Sequence, residues 1–222
     1  MTNSLQPRII LEDDTLLIVD KPAGLNADID RAKNPSVEEW AILYMDGKKR
    51  PAPFLLNRID RPTSGIMILV KKKSALKKLA EQQEDHRLSK TYLALTEQLP
   101  QPPEARLLHH VYKDLMQKKL LVYDDPREGH TKEARLSYKY LGAGNGYHFL
   151  EVRLETGRYH QIRAQFAHMG WPVVGDSAYG SQVSFGPNRI GLHAWKAQFM
   201  HPATNEPVYA EAPLPDHWPA MK

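Results

Sequence analysis

Two short segments carry side chains that could do chemistry together. The first, Asn57-Arg58-Ile59-Asp60-Arg61-Pro62-Thr63-Ser64-Gly65, sets one aspartate between two arginines in a segment bounded by apolar runs. A carboxylate placed this way has two uses. It can pair with a neighbouring arginine and cap backbone amides, with Thr63, Ser64 and Gly65 supplying turn hydrogen bonds. Alternatively, a rigid loop can aim it at a cleft while nearby cations keep it ionised. The second segment, Leu154-Glu155-Thr156-Gly157-Arg158-Tyr159-His160-Gln161-Ile162-Arg163, leads from a strand through a glycine turn into a helix rich in donors. Arg158, His160, Gln161 and Arg163 suit the binding of phosphate or the orienting of a carboxylate. A histidine in such a place is by default a structural hydrogen-bonding residue. Ile162 belongs to the helix's apolar stripe, which puts Arg163 on the stripe's edge.

Other chemistries fit less well. Cysteine is absent, so there is no thiolate nucleophile, no disulfide and no cysteine zinc site. No HExxH occurs, and His109-His110, or His160 with His168, lack a supporting ligand pattern; no metal is expected. Glycoside hydrolysis usually needs two carboxylates. Glu155 is the only acidic residue of the second segment, and its strand position makes it a poor general acid.

The elements that must hold these segments can be read from pattern. Arg8 to Leu11 and Thr15 to Lys21 form a hairpin around Glu12-Asp13-Asp14, ended by Pro22-Ala23-Gly24. Ser36 with Glu39 three residues on is a capping box opening a helix through Trp40, Ala41 and Tyr44. Strands are predicted at 54–56 and 66–70, so the aspartate segment is a loop between them. Residues 74–85 read as a helix with Leu76, Leu79 and Ala80 on one side. Strands follow at 91–96, 134–140 and 147–154, with a surface connection at 100–103. The intervening GAGNG opens no helix, so it reads as a hairpin loop and not as a phosphate cradle. Ile162, Phe166 and Met169 mark a helix that stops at Gly170, and short strands lead to a proline-rich tail. Strand-rich with short links, the chain belongs to the α+β class with a mixed, mainly antiparallel sheet.

At 222 residues the chain can bury a core as one large domain or two lobes. Thirty Lys+Arg against 26 Asp+Glu give a net charge of +4, a mild bias towards polyanions. Lys71, Lys72, Lys73, Lys77 and Lys78 form a basic block, followed by Arg87 and Lys90; most such runs are solvated helix faces. No signal peptide and no bilayer-length apolar run are evident, so a soluble cytoplasmic protein is expected.

Taken in order, the two segments resemble the RluA-type family of RNA pseudouridine synthases, which carries an HRLD-x-x-TSG loop and, further on, TGR-x-HQIR. Further matches are Ile18-Val19-Asp20-Lys21-Pro22-Ala23-Gly24, Lys90-Thr91-Tyr92-Leu93-Ala94, Gly175-Asp176-Ser177-Ala178-Tyr179-Gly180, Leu192-His193-Ala194 and His201-Pro202. The resemblance spans residues 8–212. It implies the pseudouridine synthase catalytic fold with flanking helices and a central cleft, as one domain over 1–222 with no N-terminal accessory RNA-binding domain. By position, the family's catalytic aspartate falls on Asp60, its tyrosine beside the target base on Tyr92, and its arginine partner of the aspartate on Arg163. Arg58 resembles the arginine that fills the gap left by a flipped base. Arg61, Lys71, Lys72, Lys90, Arg158 and His160 join it as an expected RNA footprint. Asn57 and Ile59 stand where His and Leu are usual, which bears on loop packing and substrate choice.

The implied reaction isomerises uridine to pseudouridine in a stem-loop of ribosomal or transfer RNA. It breaks the bond from uracil nitrogen to the sugar, turns the base and forms a carbon–carbon bond. Nothing is oxidised, so no cofactor and no metal are expected, and the protein is expected to act as a monomer. The carboxylate can act as nucleophile, as stabiliser of a developing cation or as base; all three need it ionised. The base must leave its stack to be reached.

Overall fold

The runs 16–19 and 66–70 are apolar without alternation, the pattern of strands covered on both faces. In the computed structural model every one of these residues is buried. The structure describes residues 5–127 and 130–221. The chain divides into two units, Met1–Lys90 with His193–Pro215, and Thr91–Leu192 with Asp216–Lys222. In chain order the elements are β1 (Arg8–Glu12), β2 (Leu16–Lys21), α1 (Val37–Asp46), β3 (Phe54–Leu55), β4 (Ser64–Val70), α2 (Lys73–Glu84) and β5 (Ser89–Thr96). They continue with β6 (Glu104–Asp114), β7 (Lys119–Tyr123), β8 (Lys132–Gly144), β9 (Tyr147–Leu154), α3 (Gln161–His168), β10 (Leu192–Met200) and β11 (Pro207–Glu211).

In the first unit β1 and β2 form the predicted hairpin, and β2 lies antiparallel to β4 with Lys21 opposite Gly65. β3 pairs antiparallel with β4 at Leu69 and Val70. β10 runs parallel to β4, His193 against Ser64 and Ala194 against Gly65, and antiparallel to β11. This sheet is therefore mixed. Ser36 caps α1 as expected, its Oγ accepting from Glu39 N at 3.1 Å. On α2 the buried residues are Ala75, Leu79 and Gln82, not Leu76 and Ala80. Gln82 explains the rotation: its amide accepts from Met200 N at 2.9 Å and donates to Met200 O at 2.8 Å, extending the edge of β10.

Lys71 is a correction to the expected RNA footprint. It is buried, and its Nζ donates to Glu12 Oε1 at 2.8 Å and Asp13 O at 2.6 Å. The cause is register: Val70 pairs opposite Leu16, so the next residue is carried under the β1–β2 turn, where Lys71 N donates to Thr15 O. Tyr44 Oη (2.6 Å) and Lys48 Nζ (2.9 Å) donate to the same glutamate. Burial would raise the Glu12 pKa, but the hydrogen bonds from Lys71, Tyr44 and Lys48 outweigh it and hold the group down to about 2.

The second unit is antiparallel, with β5 beside β9, β9 beside β8, β8 beside β6 and β6 beside β7. The hairpin reading of GAGNG holds, but its loop is shorter than expected. β8 continues through Gly144, and Asn145-Gly146 alone turn the chain, with φ of 52° and 81°; two positive φ values are what a type I′ turn needs. The long hairpin of β6 and β7 carries no assignment from pattern. The exposed Leu108 between the buried Leu107 and His109 hides its alternation. α3 is not amphipathic: every residue from Gln161 to Phe166 is buried, so Arg163 lies inside the protein and not at a stripe's edge.

The acid limb of stability should report the Glu12 cluster. With a folded pKa of about 2 against the ordinary 4.5, Glu12 stabilises the fold above pH 4.5 and loses that contribution as pH falls towards 2. Glu12→Gln should cost about 2 kcal/mol at neutral pH and flatten this part of the curve, measured as urea midpoints against pH.

Candidate active site

The loop that carries Asp60 is fastened on both sides of the aspartate. Before it, Asn57 accepts from Ile68 N through Oδ1 at 2.7 Å and donates through Nδ2 to Ile66 O at 3.3 Å, so a side-chain amide prolongs the β4 ladder. Ile59 is buried. The two departures from the family's usual residues thus act on loop packing. After the aspartate, Thr63 N donates to Asp60 O at 3.0 Å, and Arg61 O accepts from Gly24 N at 2.7 Å and from Lys21 Nζ at 3.2 Å. Arg61 Nε donates to Gly24 O at 3.0 Å. Asp60 itself is half-buried.

Lys21 is the residue beside the loop whose place pattern does not assign, although Asp20-Lys21-Pro22 stands among the motifs. It is wholly buried, and its Nζ also donates to Leu25 O at 2.8 Å and Pro22 O at 3.1 Å. Burial drives its pKa from 10.5 to about 7, while the charge of Asp60 works in the opposite direction. A lysine ending an apolar strand is the signal that could have found it. The exit of the loop is equally tight. Ser64 Oγ meets His193 Nδ1 at 2.8 Å, and a Cβ on Gly65, at φ 109°, would lie 2.2 Å from Ala194 O.

In the second unit the TGRYHQIR segment closes on itself. Gln161 Oε1 accepts from Thr156 Oγ1 at 2.8 Å and Arg158 N at 2.9 Å, and Gln161 Nε2 donates to Arg135 O at 3.0 Å. The glutamine is therefore a clasp for the turn into α3 and not a phosphate ligand. Arg163 donates to Asp176 through two parallel bonds, Nε to Oδ2 at 2.6 Å and Nη2 to Oδ1 at 2.9 Å, with both side chains almost wholly buried. Its guanidinium lies 5.1 Å from the centre of the Tyr179 ring. Tyr179 Oη accepts from Leu120 N at 2.8 Å and meets His160 Nδ1 at 3.1 Å, and burial pushes its pKa up to about 12. The GDSAYG motif thus supplies the surroundings of Arg163, with Asp176 and Tyr179 holding its guanidinium, contacts that no spacing in the sequence reveals.

Tyr92 sits on β5 opposite Val152, its ring buried. Arg58 is exposed, with Nη1 3.0 Å from Asp28 Oδ2. Arg61, Lys72 and Arg158 are exposed, the last donating through Nε to Glu133 O at 2.9 Å. Lys90 is half-buried, which lowers its pKa, and donates to Gln83 Oε1 at 3.3 Å. His160 stacks on Tyr159 with ring centres 3.7 Å apart. Glu155 forms a bidentate pair with Arg106 at 2.7 and 2.6 Å. His109, Asp124 and His168, from outside the motifs, come close enough together to hold a metal ion.

Residues 15–168 match the family model described as RNA pseudouridylate synthase. The chain belongs to this family. It is 31% identical to ribosomal large subunit pseudouridine synthase D of Xanthomonas campestris over 94% of its own length, spanning 66% of that protein. It is 31% identical to an uncharacterized RNA pseudouridine synthase of Zymomonas mobilis, with 95% of each chain covered. The solved structure of human RNA pseudouridylate synthase domain containing 1 superposes with a TM-score of 0.77 at 21% identity, covering 95% of this chain and 84% of that one. The expected α+β pseudouridine synthase fold therefore stands.

Asp176→Asn would leave the buried Arg163 beside a neutral amide, with the charge of its carboxylate partner gone. The expected cost is about 3 kcal/mol, read as a fall in urea midpoint. Tyr179→Phe, which keeps the ring and loses two hydrogen bonds of the hydroxyl, should cost less.

Proposed function

We propose that this protein is an RNA pseudouridine synthase acting on structured RNA, with Asp60 as its catalytic carboxylate. The observation that carries the reading is a single half-buried aspartate on a loop tied down on both sides of it, within motifs that occur in the family's order. Tyr92 is assigned beside the target base and Arg163 as the cation that keeps Asp60 ionised and aimed. The guanidinium suits that task, since it carries five N–H donors in a fixed fork and its orientation is set by Asp176. Both units contribute motif residues, so residues 8–212 are read as one catalytic domain.

Arg58 is assigned to the gap left by the flipped base. Its pair with Asp28 is exposed, worth about 0–1 kcal/mol, so releasing the arginine costs little beside the few kcal/mol of unstacking. Arg61, Lys72 and Arg158 are the exposed cations suited to phosphate. Relatives named for the large ribosomal subunit favour ribosomal over transfer RNA. The isomerisation transfers no electrons to or from the enzyme, so its chemistry requires no redox cofactor.

Asp60→Asn should lower pseudouridine formation at least about a thousandfold, roughly 4 kcal/mol of barrier, with unchanged RNA affinity in gel shifts. The product is counted by carbodiimide-dependent primer-extension stops. Equal product from both proteins would contradict the reading, and so would bound RNA left unmodified by wild type, which would mark a non-catalytic RNA-binding protein. Lys72→Ala should reduce the slope of log K against log salt by about 0.7–0.9. An unchanged slope would remove Lys72 from the footprint.

A further inference from the structure

The second unit gathers two histidines and an aspartate for which uridine isomerisation has no use. His109 comes from β6, Asp124 follows directly on β7, and His168 is the last residue of α3. His168 Nε2 lies 2.8 Å from Asp124 Oδ1, His109 Nε2 lies 3.8 Å from the same oxygen, and all three atoms fall within 4.8 Å of one another. The imidazole rings meet edge-on with centres 5.0 Å apart. We propose that His109, Asp124 and His168 form a binding site for a divalent transition-metal ion of the zinc type, with water completing a tetrahedral shell.

The donor set is one that zinc accepts: two imidazole nitrogens and a carboxylate oxygen. Ligand atoms about 2.0–2.1 Å from a tetrahedral ion stand about 3.3 Å apart, so the 2.8 Å pair must open, the 3.8 Å pair close, and the widest pair, within 4.8 Å, close by up to about 1.5 Å. The mobile partners are the right ones, because the Asp124 and His168 side chains are 77% and 30% exposed while His109 is fixed by burial. Burial, and then the neighbouring His168, lowers the His109 pKa, which favours the neutral imidazole that ligates.

A second observation distinguishes this cluster from a surface His–Asp pair. Gln165 is wholly buried, its amide lies 2.9 Å from His109 Nδ1, and its Oε1 has no hydrogen-bond partner among the described residues. Ligation through Nε2 puts the imidazole proton on Nδ1. Turned over, the Gln165 amide sets Oε1 to accept that proton, the outer hydrogen bond that metal-bound histidines take. The turn exchanges a 3.2 Å bond to Ala134 O for that hydrogen bond and sets the amide nitrogen where the orphaned oxygen stood. An ion here would fasten the end of α3, the helix that carries Arg163, to the hairpin of β6 and β7. The inference stands apart from the proposed activity.

The test is titration of the metal-stripped full chain near neutral pH, with Co2+ followed by its visible d–d bands and Zn2+ by calorimetry. Equimolar binding with bands of tetrahedral intensity is expected. His168→Ala and Asp124→Asn, both at exposed side chains, should keep the metal-free circular dichroism spectrum and weaken binding at least about 100-fold, beyond the loss of an outer partner. No binding by wild type, or unaltered binding in either variant, would overturn the proposal.

Discussion

At residue 65 the backbone of β4 runs so close to β10 that any side chain would strike the Ala194 carbonyl. This close approach is the constraint on which the arrangement around Asp60 depends. It sets His193 beside Ser64, where a buried hydrogen bond closes the exit of the loop. On the other flank of β4, Lys21 lies opposite Gly65 and reaches three carbonyl oxygens, one of them on Arg61, next to the aspartate. Asp60 is thus held between a strand contact that tolerates only glycine and a lysine whose burial is costly in its own right. Such a lysine persists where the surrounding structure needs it. On the proposed reading, what it serves is the aim of one carboxylate.

The second unit applies the same logic to a cation. Arg163 sits in a helix segment with no exposed face, where an unpaired guanidinium would be prohibitive. Asp176 neutralises it with a two-bond fork, and Tyr179 covers it with a ring whose hydroxyl is itself tied to a backbone amide. Buried ion pairs of this kind add little net stability, but they fix orientation. The Gln161 clasp at the start of α3 and the histidine–aspartate cluster at its end hold the same helix.

Much of this was legible in the sequence because local rules and tertiary demands agreed. The β1–β2 hairpin, the Ser36 cap, the strand before the aspartate loop and the Asn145-Gly146 turn each follow from turn chemistry or periodicity. Pattern failed where a polar side chain does a backbone's work. Gln82 pairs with the edge of β10, so the buried face of α2 includes a glutamine that no hydrophobic stripe would select. Lys71 looked like part of a basic surface, yet its neighbours in sequence say nothing of Glu12, which waits across the sheet. Arg163 reads as a helix-edge residue because a buried arginine is legible only once Asp176 is known to face it. The association of His109 with His168 has the same origin: the two lie on a strand and a helix far apart in the chain, and their nearer neighbours His110 and His160 mislead.

The account's central claim is that Asp60 performs the chemistry on a uridine. The most direct measurement is tritium release from RNA labelled at carbon 5 of uridine, prepared from cells lacking this gene and incubated with purified protein. Forming the new carbon–carbon bond displaces the hydrogen at that carbon, so release to water counts turnovers. The account predicts release with wild type and none above background with Asp60→Asn. Undiminished release by Asp60→Asn would contradict it.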